Sequence, residues 1–506
     1  MQNRPRSNAP RRMTRQEYEA QKRQNRIAIA VLAAIAVLII TAVVLILRPK
    51  NPDTVTTMAN VDAVENAPEA PEGEDDGVPP GSSASDVEGA DVPAQAVPNG
   101  GVDLASQIEG DPGQAESVAE PVAEPEAAEA PAQAEPEAEP TPVPELPQAV
   151  ESVTSAPRPA GSLRSVRMRV VGDIMFCQSQ LVFAKDSGYD FHNQFEMIAD
   201  QLANADYTMG NMEGTVGKYK SSNYSGYPQF NAPDVALAPL KDDGIDFLTL
   251  ANNHMLDRWS GGVAITVESV EKYGFDHVGA YRTKAEKEAP VVVEVGGIKF
   301  GFMAYTHATN SMENRGVDAD AVALVPYIQK ADFAADVKKL RDAGAEVVIA
   351  FPHWGKEYVR TPDDSQKKYA KQLAQAGVDI IIGSHSHMVQ PMGYQTVATE
   401  NGGSKQVFTM FSMGNFISDH VVQYTDNGVI LDFTVNEHQD GTFTCDSVGY
   451  IPTYTWKQDG AIRVLPSGKY IDNRPSGMDD ENYNRMVASY YEIIEVIGDK
   501  FQLIKG

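Results

Sequence analysis

The residues best equipped for chemistry in this 506-residue chain are Asp173, Glu213, the Asn253–His254 pair, His353, His385 and His387. They stand in five short segments: Val-Val-Gly-Asp-Ile-Met (170–175), Gly-Asn-Met-Glu-Gly (210–214), Leu-Ala-Asn-Asn-His (250–254), Phe-Pro-His-Trp-Gly (351–355) and Gly-Ser-His-Ser-His (383–387). Two carboxylates, an amide and three imidazoles form a mixed N/O donor set suited to a borderline divalent metal, Mn, Fe or Zn, as one or two ions. Each residue alone has a plainer use. An Asp at a strand end shapes a turn or caps a helix, an isolated Glu is a solvated acid, and a pair of histidines is surface decoration. Their recurrence after apolar runs within one region of the chain argues for a shared site. His385 and His387 are two residues apart, so an extended segment would point both rings to one side. Gly383 before them would let the strand end turn.

Such residues need elements to converge them. Met168–Val171, Phe247–Leu250, Lys299–Ala304, Val347–Ala350, Ile380–Ile382 and Val407–Phe411 are short apolar runs that read as buried strands. Helical patterns lie between them at Ser260–Tyr273, Lys330–Ala343 (stopped by Gly344) and Gln366–Gln375 (closed by Gly377). This alternation predicts an α/β fold with parallel strands, whose carboxyl ends meet in one crevice. After Asn415 the pattern alternates, at Val429–Val435 and Thr442–Tyr450, which predicts antiparallel strands completing a second sheet. Asp479–Val496 reads as a last helix packed on the domain or capping it.

Six ordered motifs then carry a resemblance. They are Gly172-Asp173-Ile174-Met175, Asn211-Met212-Glu213, Ala251-Asn252-Asn253-His254, His353-Trp354-Gly355-Lys356-Glu357-Tyr358, Gly383-Ser384-His385-Ser386-His387 and Ser412-Met413-Gly414-Asn415-Phe416. Over roughly Arg167–Asp419 the chain resembles the CapA, or PGA_cap, family of poly-γ-glutamate capsule synthesis proteins, a branch of the calcineurin-like metallophosphatase superfamily. The resemblance implies a sandwich of two mixed sheets flanked by helices. It implies that Asp173 and His387 hold one metal, that Asn253, His353 and His385 hold another, and that Glu213 bridges them. It gives His254 the role of proton donor to the leaving group, oriented by Asp257. Met175 stands where phosphatase members carry His. A thioether is a poor ligand in a hard, oxygen-rich site, so the first metal position is weakened.

The front of the chain predicts a different environment. Residues 1–26 hold eight basic residues against two acids, and Ile27–Leu47 is apolar except for Thr41. At ~1.5 Å per residue that run spans roughly 30 Å, one hydrocarbon core. It is longer than the ~7–15-residue core of a cleavable signal, and the positive flank places the N-terminus in the cytoplasm. From Asn51 to Pro157 there is no Lys or Arg, and Glu, Pro and Ala dominate, which predicts an extended, self-repelling tether. Much of the net charge of −28 belongs to it. The expected organisation is therefore a basic cytoplasmic tail (1–26), a transmembrane helix (27–47), a disordered acidic linker (48–165), a CapA-like metallophosphatase-type domain (166–465) and a C-terminal extension with a helix (466–506). The bacterial cell membrane would hold the chain by a single pass, with the folded part outside.

Nucleic acid is excluded as a partner, because the globular region has no basic run or aromatic-interleaved patch. Cys177 and Cys445 leave pairing open. His192, His277, His307, His420 and His438 read as ordinary surface or core histidines, His307 being the one placed after a strand. Trp354 and Tyr358 read as packing residues. The expected function is capsule-polymer synthesis or export by a metal-dependent hydrolase using metal-activated water. An anionic capsule polymer and subunits of a polyglutamate synthase or export machine are the expected partners. The alternative is a non-catalytic accessory scaffold that binds the polymer or its synthase.

Overall fold

The computed structural model describes residues 163–218, 224–398 and 402–506. The expected span Ile27–Leu47, the basic tail and nearly all of the acidic linker lie outside them. Among the described residues no helix is long and apolar enough to cross a membrane.

Two sheets form the body of the protein. In the first, β1 (Ser165–Ile174), β2 (Tyr207–Met212), β3 (Phe247–Thr249) and β4 (Asp276–Val278) are parallel neighbours. The second contains β5 (Val291–Val295), β6 (Ile298–Thr306), β7 (Val347–His353), β8 (Ile380–Ile382), β9 (Met392–Ala398) and β10 (Ser404–Met410), in the order β5-β6-β7-β8-β10-β9. Its central strands β6, β7, β8 and β10 are parallel, and β5 and β9 close the edges antiparallel. The expected α/β class with two mixed sheets and flanking helices is what the structure contains.

The late alternating strands are placed differently from expectation. β11 (Asn415–Ile417) runs parallel to β1, whereas β12 (Asn427–Glu437), β13 (Phe443–Gln458) and β14 (Ala461–Pro466) extend the first sheet from β1. They do not build the second sheet. The reason is β1 itself, whose free edge offers a long ladder from Ser165 to Val171 for antiparallel pairing with β12. The last strand, β15 (Gln502–Leu503), pairs with β13, and the helix Asp480–Ile497 packs Met486, Val487 and Tyr490 against Tyr454, Trp456 and Leu465.

The sheets face one another through a shared apolar layer. Val166, Met168 and Val170 of β1 meet Phe300 and Phe302 of β6, Ile349 of β7 and Phe408 of β10 there. Period-two alternation supplies this face, and each fully buried side chain of this kind contributes about 1.5–3 kcal/mol. The helix Trp259–Lys272 covers the outer face of the first sheet with Val263, Val267 and Val270. The helices Phe333–Asp342 and Asp364–Ala376 cover the second with Val337, Leu340 and Leu373. Because the parallel strands of both sheets deliver their carboxyl ends to the same rim, that rim collects the polar segments.

Candidate metal centre

Asp173 reaches the rim through an irregularity in its strand. The register between β1 and β2 shifts between Val171 and Asp173, and such a bulge re-aims the side chain that follows it. Gly172 permits the shift, since a Cβ there would collide with the carbonyl oxygen of Gly414. Asp173 is fully buried; its Oδ1 accepts from Asn211 Nδ2 at 2.8 Å and its Oδ2 accepts from the His385 backbone N–H at 3.3 Å. Thr249 donates to Asn211 Oδ1 at 3.0 Å, which sets that amide's orientation.

Glu213, just past β2, is also wholly buried, yet neither of its carboxylate oxygens has a hydrogen-bond partner. Its Oε1 lies 3.7 Å from His353 Nε2 and 3.8 Å from His387 Nε2. Burial pushes its carboxyl well above the usual range; His387 opposes this and Asp173 adds to it. A buried carboxylate without hydrogen-bond donors is costly, and a metal cation set between it and the neighbouring lone pairs would offset that cost.

A second convergence lies beside it. Asn253 Oδ1 sits 2.8 Å from His353 Nε2, which is itself 3.1 Å from His385 Nδ1. His353 Nδ1 lies 2.8 Å from the Ser384 hydroxyl. Burial, then the neighbouring histidines, hold His353 and His385 well below the ordinary imidazole value, so both rings are neutral and carry lone pairs. Lone pairs from an amide oxygen and two rings meeting this closely suit a cation. One donor atom each from Asp173, Glu213 and His353 also falls within 4.8 Å of the other two. The donor set therefore fits a divalent metal of borderline character.

His387 completes the group with opposite electrostatics. Its Nδ1 lies 2.9 Å from Asn415 Oδ1 and 3.3 Å from Asp173 Oδ2. Burial alone would lower its pKa, but Glu213 and Asp173 outweigh it and raise it to about 9. Neither His385 nor His387 sits in an extended segment. They have φ values of 93° and 56°, so the expectation of rings sharing a strand face fails, although both still enter the site. Left-handed backbone at ordinary residues costs about 1–3 kcal/mol each and persists where surrounding packing over-determines it. Gly383 has no positive φ; it is needed because a Cβ would strike the Phe411 carbonyl and the Trp354 indole nitrogen.

His254 and Asp257 form the expected pair. The ring Nδ1 is 2.8 Å from Asp257 Oδ2, which also accepts the Phe230 backbone N–H at 2.7 Å. The Phe230 ring meets the His254 ring edge-on at 4.7 Å. Asp257 is raised by burial, an effect that its bond to His254 opposes.

Two histidines expected to be ordinary line the same site. The His307 ring lies 4.3 Å from His385 and the His420 ring 4.6 Å from His387. Burial drives His420 down to about 3 and also lowers His307. Tyr358, 41% exposed with φ 62°, is 5.9 Å from the His387 ring and so faces the site rather than the core. Trp354 is buried and donates to the Phe411 carbonyl, which is a packing role. Asn211 and Asn415 were within reach of sequence reasoning, since both lie inside recognisable motifs. Asn310 and His420 carried no such signal. Met175 packs with Cys177 and Phe230 in a small apolar cluster. Cys177 and Cys445 are free thiols.

A two-sheet α/β protein whose strand ends enclose a buried cluster of acids, amides and imidazoles defines a class of metal-type centre. Comparison with known proteins makes the assignment specific. The family described as bacterial capsule synthesis protein PGA_cap matches residues 167–420, half of the chain, and the protein belongs to that family. The capsule biosynthesis protein CapA of Bacillus anthracis is 29% identical over 296 residues, covering 54% of this chain and 68% of the relative. The PGA biosynthesis protein CapA of Bacillus subtilis (strain 168) is 28% identical over 283 residues, with the same two coverages. Among solved structures, the calcineurin-like phosphoesterase YfkN from Bacillus subtilis aligns over 66% of this chain and 99% of its own, with 15% identity and a TM-score of 0.34.

Proposed function

We propose that this protein is a membrane-attached, metal-dependent hydrolase of the calcineurin-like type that acts on an anionic capsule polymer or a phosphoester precursor outside the cell. The observation that carries this reading is Glu213, a buried carboxylate with no hydrogen-bond donor, set among Asp173, His353 and His387. Asn253, His353 and His385 would hold one divalent ion, Asp173 and His387 a second, with Glu213 between them. A bound cation supplies Lewis acidity and activates water. The chain's own residues do the rest. Asp257 accepts the Nδ1–H of His254, which keeps that proton on the ring and leaves Nε2 as the atom that hands a proton to the departing group, the ring returning to its neutral form. Phe230 flanks the ring, and the 4% exposure of His254 limits competing water. The names of the capsule biosynthesis relatives support the polymer, and synthase or export subunits are the partners this reading implies.

Metal analysis of the purified full-length protein, paired with phosphoester and γ-glutamyl substrates, tests the proposal. The wild type should contain a divalent ion and hydrolyse one substrate class, and His353→Ala should lose both together. Full activity in metal-free His353→Ala overturns the reading.

One observation favours the accessory-scaffold alternative. Met175 spends its side chain in the apolar cluster with Cys177 and Phe230, so the Asp173–His387 half gains no donor from it. Capsule production that survives His254→Ala would select the scaffold.

A further inference from the structure

Asn310 lies in the loop after β6, outside every motif that marks the site, and its side chain touches two of the site's residues. Its Oδ1 accepts from Asn253 Nδ2 at 3.3 Å. Its Nδ2 lies 3.4 Å from His254 Nδ1 and 3.3 Å from His254 Nε2. A group nearly equidistant from both ring nitrogens cannot approach in the ring plane without striking the carbon between them, so the amide leans over the ring face. His254 is then held on three sides: by Asp257 at Nδ1, by the Phe230 ring, and by Asn310.

The same amide settles Asn253. With Nδ2 of Asn253 committed to Asn310, its Oδ1 is the end that faces His353 Nε2 at 2.8 Å. An amide orientation is decided by its hydrogen-bond partners, and only the oxygen offers a lone pair to a cation.

The loop is built to hold this pose. Asn310 and Ser311 are consecutive non-glycine residues in the left-handed region, with φ of 52° and 56°. Asn tolerates that region better than other side chains, but two in succession mark a backbone held by its surroundings. The anchors flank it. Thr309 is fully buried and bonds Glu313 and Tyr327 at 2.8 and 2.7 Å, and Met312 is buried in the core. Asn310 itself is exposed on its outer side. An exposed residue in a strained turn, with its amide turned inward onto the site, is poorly explained by packing.

We propose that Asn310 is a positioning residue that fixes the ring of His254 with its amide nitrogen and the ligating face of Asn253 with its amide oxygen. The inference rests on the hydrolase reading for its catalytic consequence but not for its geometry. Loss of an outer partner of this kind typically costs 10–100-fold in metal affinity or activity.

Asn310→Gly is the informative variant in the full-length protein, because glycine adopts the left-handed turn freely and keeps the loop while deleting the amide. Mn(II) titration should show affinity about 10–100-fold weaker in Asn310→Gly. Asn310→Asp, which retains an acceptor for Asn253 Nδ2, should recover it. Among aryl and alkyl phosphoesters, Asn310→Gly and Asn310→Asp should both lose more rate on alkyl substrates, whose poor leaving groups need the His254 proton, than on nitrophenyl esters. A uniform loss across leaving groups would place the effect elsewhere. In metal-free protein labelled with ¹⁵N-histidine, the His254 ring signals should shift in Asn310→Gly while His438 stays unchanged. Should the wild type bind no Mn(II) and hydrolyse nothing, a shifted His254 signal still upholds the positioning role, and the hydrolase reading alone falls. Wild-type His254 signals in Asn310→Gly overturn the inference, as does wild-type Mn(II) affinity in a variant whose parent binds the metal.

Discussion

The first sheet brings oxygen to the site and the second brings nitrogen. Asp173 lies at the end of β1, and Glu213 and the amide of Asn253 follow β2 and β3, whereas His353 ends β7 and His385 and His387 follow β8. His254 and His420 are the exceptions on the oxygen side, and His254 is the residue assigned to proton transfer rather than to the ion. The separation has an electrostatic consequence. Carboxylates gathered on one wall would repel one another in a buried space, and imidazoles on the other would remain neutral. Set face to face, they pull His387 up to about 9 while leaving Glu213 without a hydrogen-bond donor. Neither sheet alone contains a centre; the cation-binding character belongs to the gap between them.

The strongest way to break this comparison is to remove one donor from each wall separately. If both walls are needed, His353→Ala should abolish bound metal and Asp173→Ala should lose the ion it shares with His387, each read by elemental analysis. Retention in either variant would mean that one wall suffices.

His254→Ala sharpens the first of these exceptions. It should lower kcat by about 10²–10⁴-fold on substrates with poor leaving groups while metal content stays at the wild-type level. Loss of the ion in this variant would move His254 into the ligand set.

The metal-free protein offers a third test, through pH. His387 has a folded value of about 9 against an ordinary 6.5, so its proton stabilises the fold below pH 6.5 and that contribution disappears as pH rises through about 9. The difference is worth about 3 kcal/mol. Glu213, raised by burial, also favours the protonated fold and acts in the same direction. His353, His385 and His420 are lowered by burial, so below pH 6.5 the unfolded chain gains protons that the fold refuses. After chelation, Tm should peak near pH 6.5 and decline on both sides, with added metal flattening the alkaline decline. A metal-free Tm rising steadily from pH 7 to 9 would contradict the opposed-walls picture.

Glu213→Gln carries the smallest effect. Removing a buried carboxyl that is costly to ionise should stabilise the metal-free protein by about 1–3 kcal/mol toward alkaline pH while weakening cation binding, measurable there as a raised Tm with chelator and a smaller Tm increment on adding metal. A destabilised metal-free variant would show that the carboxylate already has an adequate partner.

Much of the site was legible before any coordinates. Asp173, Glu213, Asn253, His353, His385 and His387 follow apolar runs, and strand ends of a parallel sheet must meet at one rim. The rest was hidden for specific reasons. His420 reaches His387 from the connection between β11 and β12, a pairing that depends on β12 joining β1 rather than a second sheet. Asn310 depends on a left-handed turn that no glycine announces. The displaced antiparallel strands show the same limit, since alternation predicts a strand but not which edge it will occupy.

Sequence by itself therefore determined which side chains could offer lone pairs and protons, and that they sit where apolar runs end. Those are local properties, set by residue type, hydrophobic period and turn chemistry. Tertiary structure decided which histidines join the cluster, which of them carry a proton, and that Glu213 is left without a donor. Desolvation and Coulomb interaction depend on distances across the gap between two sheets, and those distances do not exist until the sheets have packed.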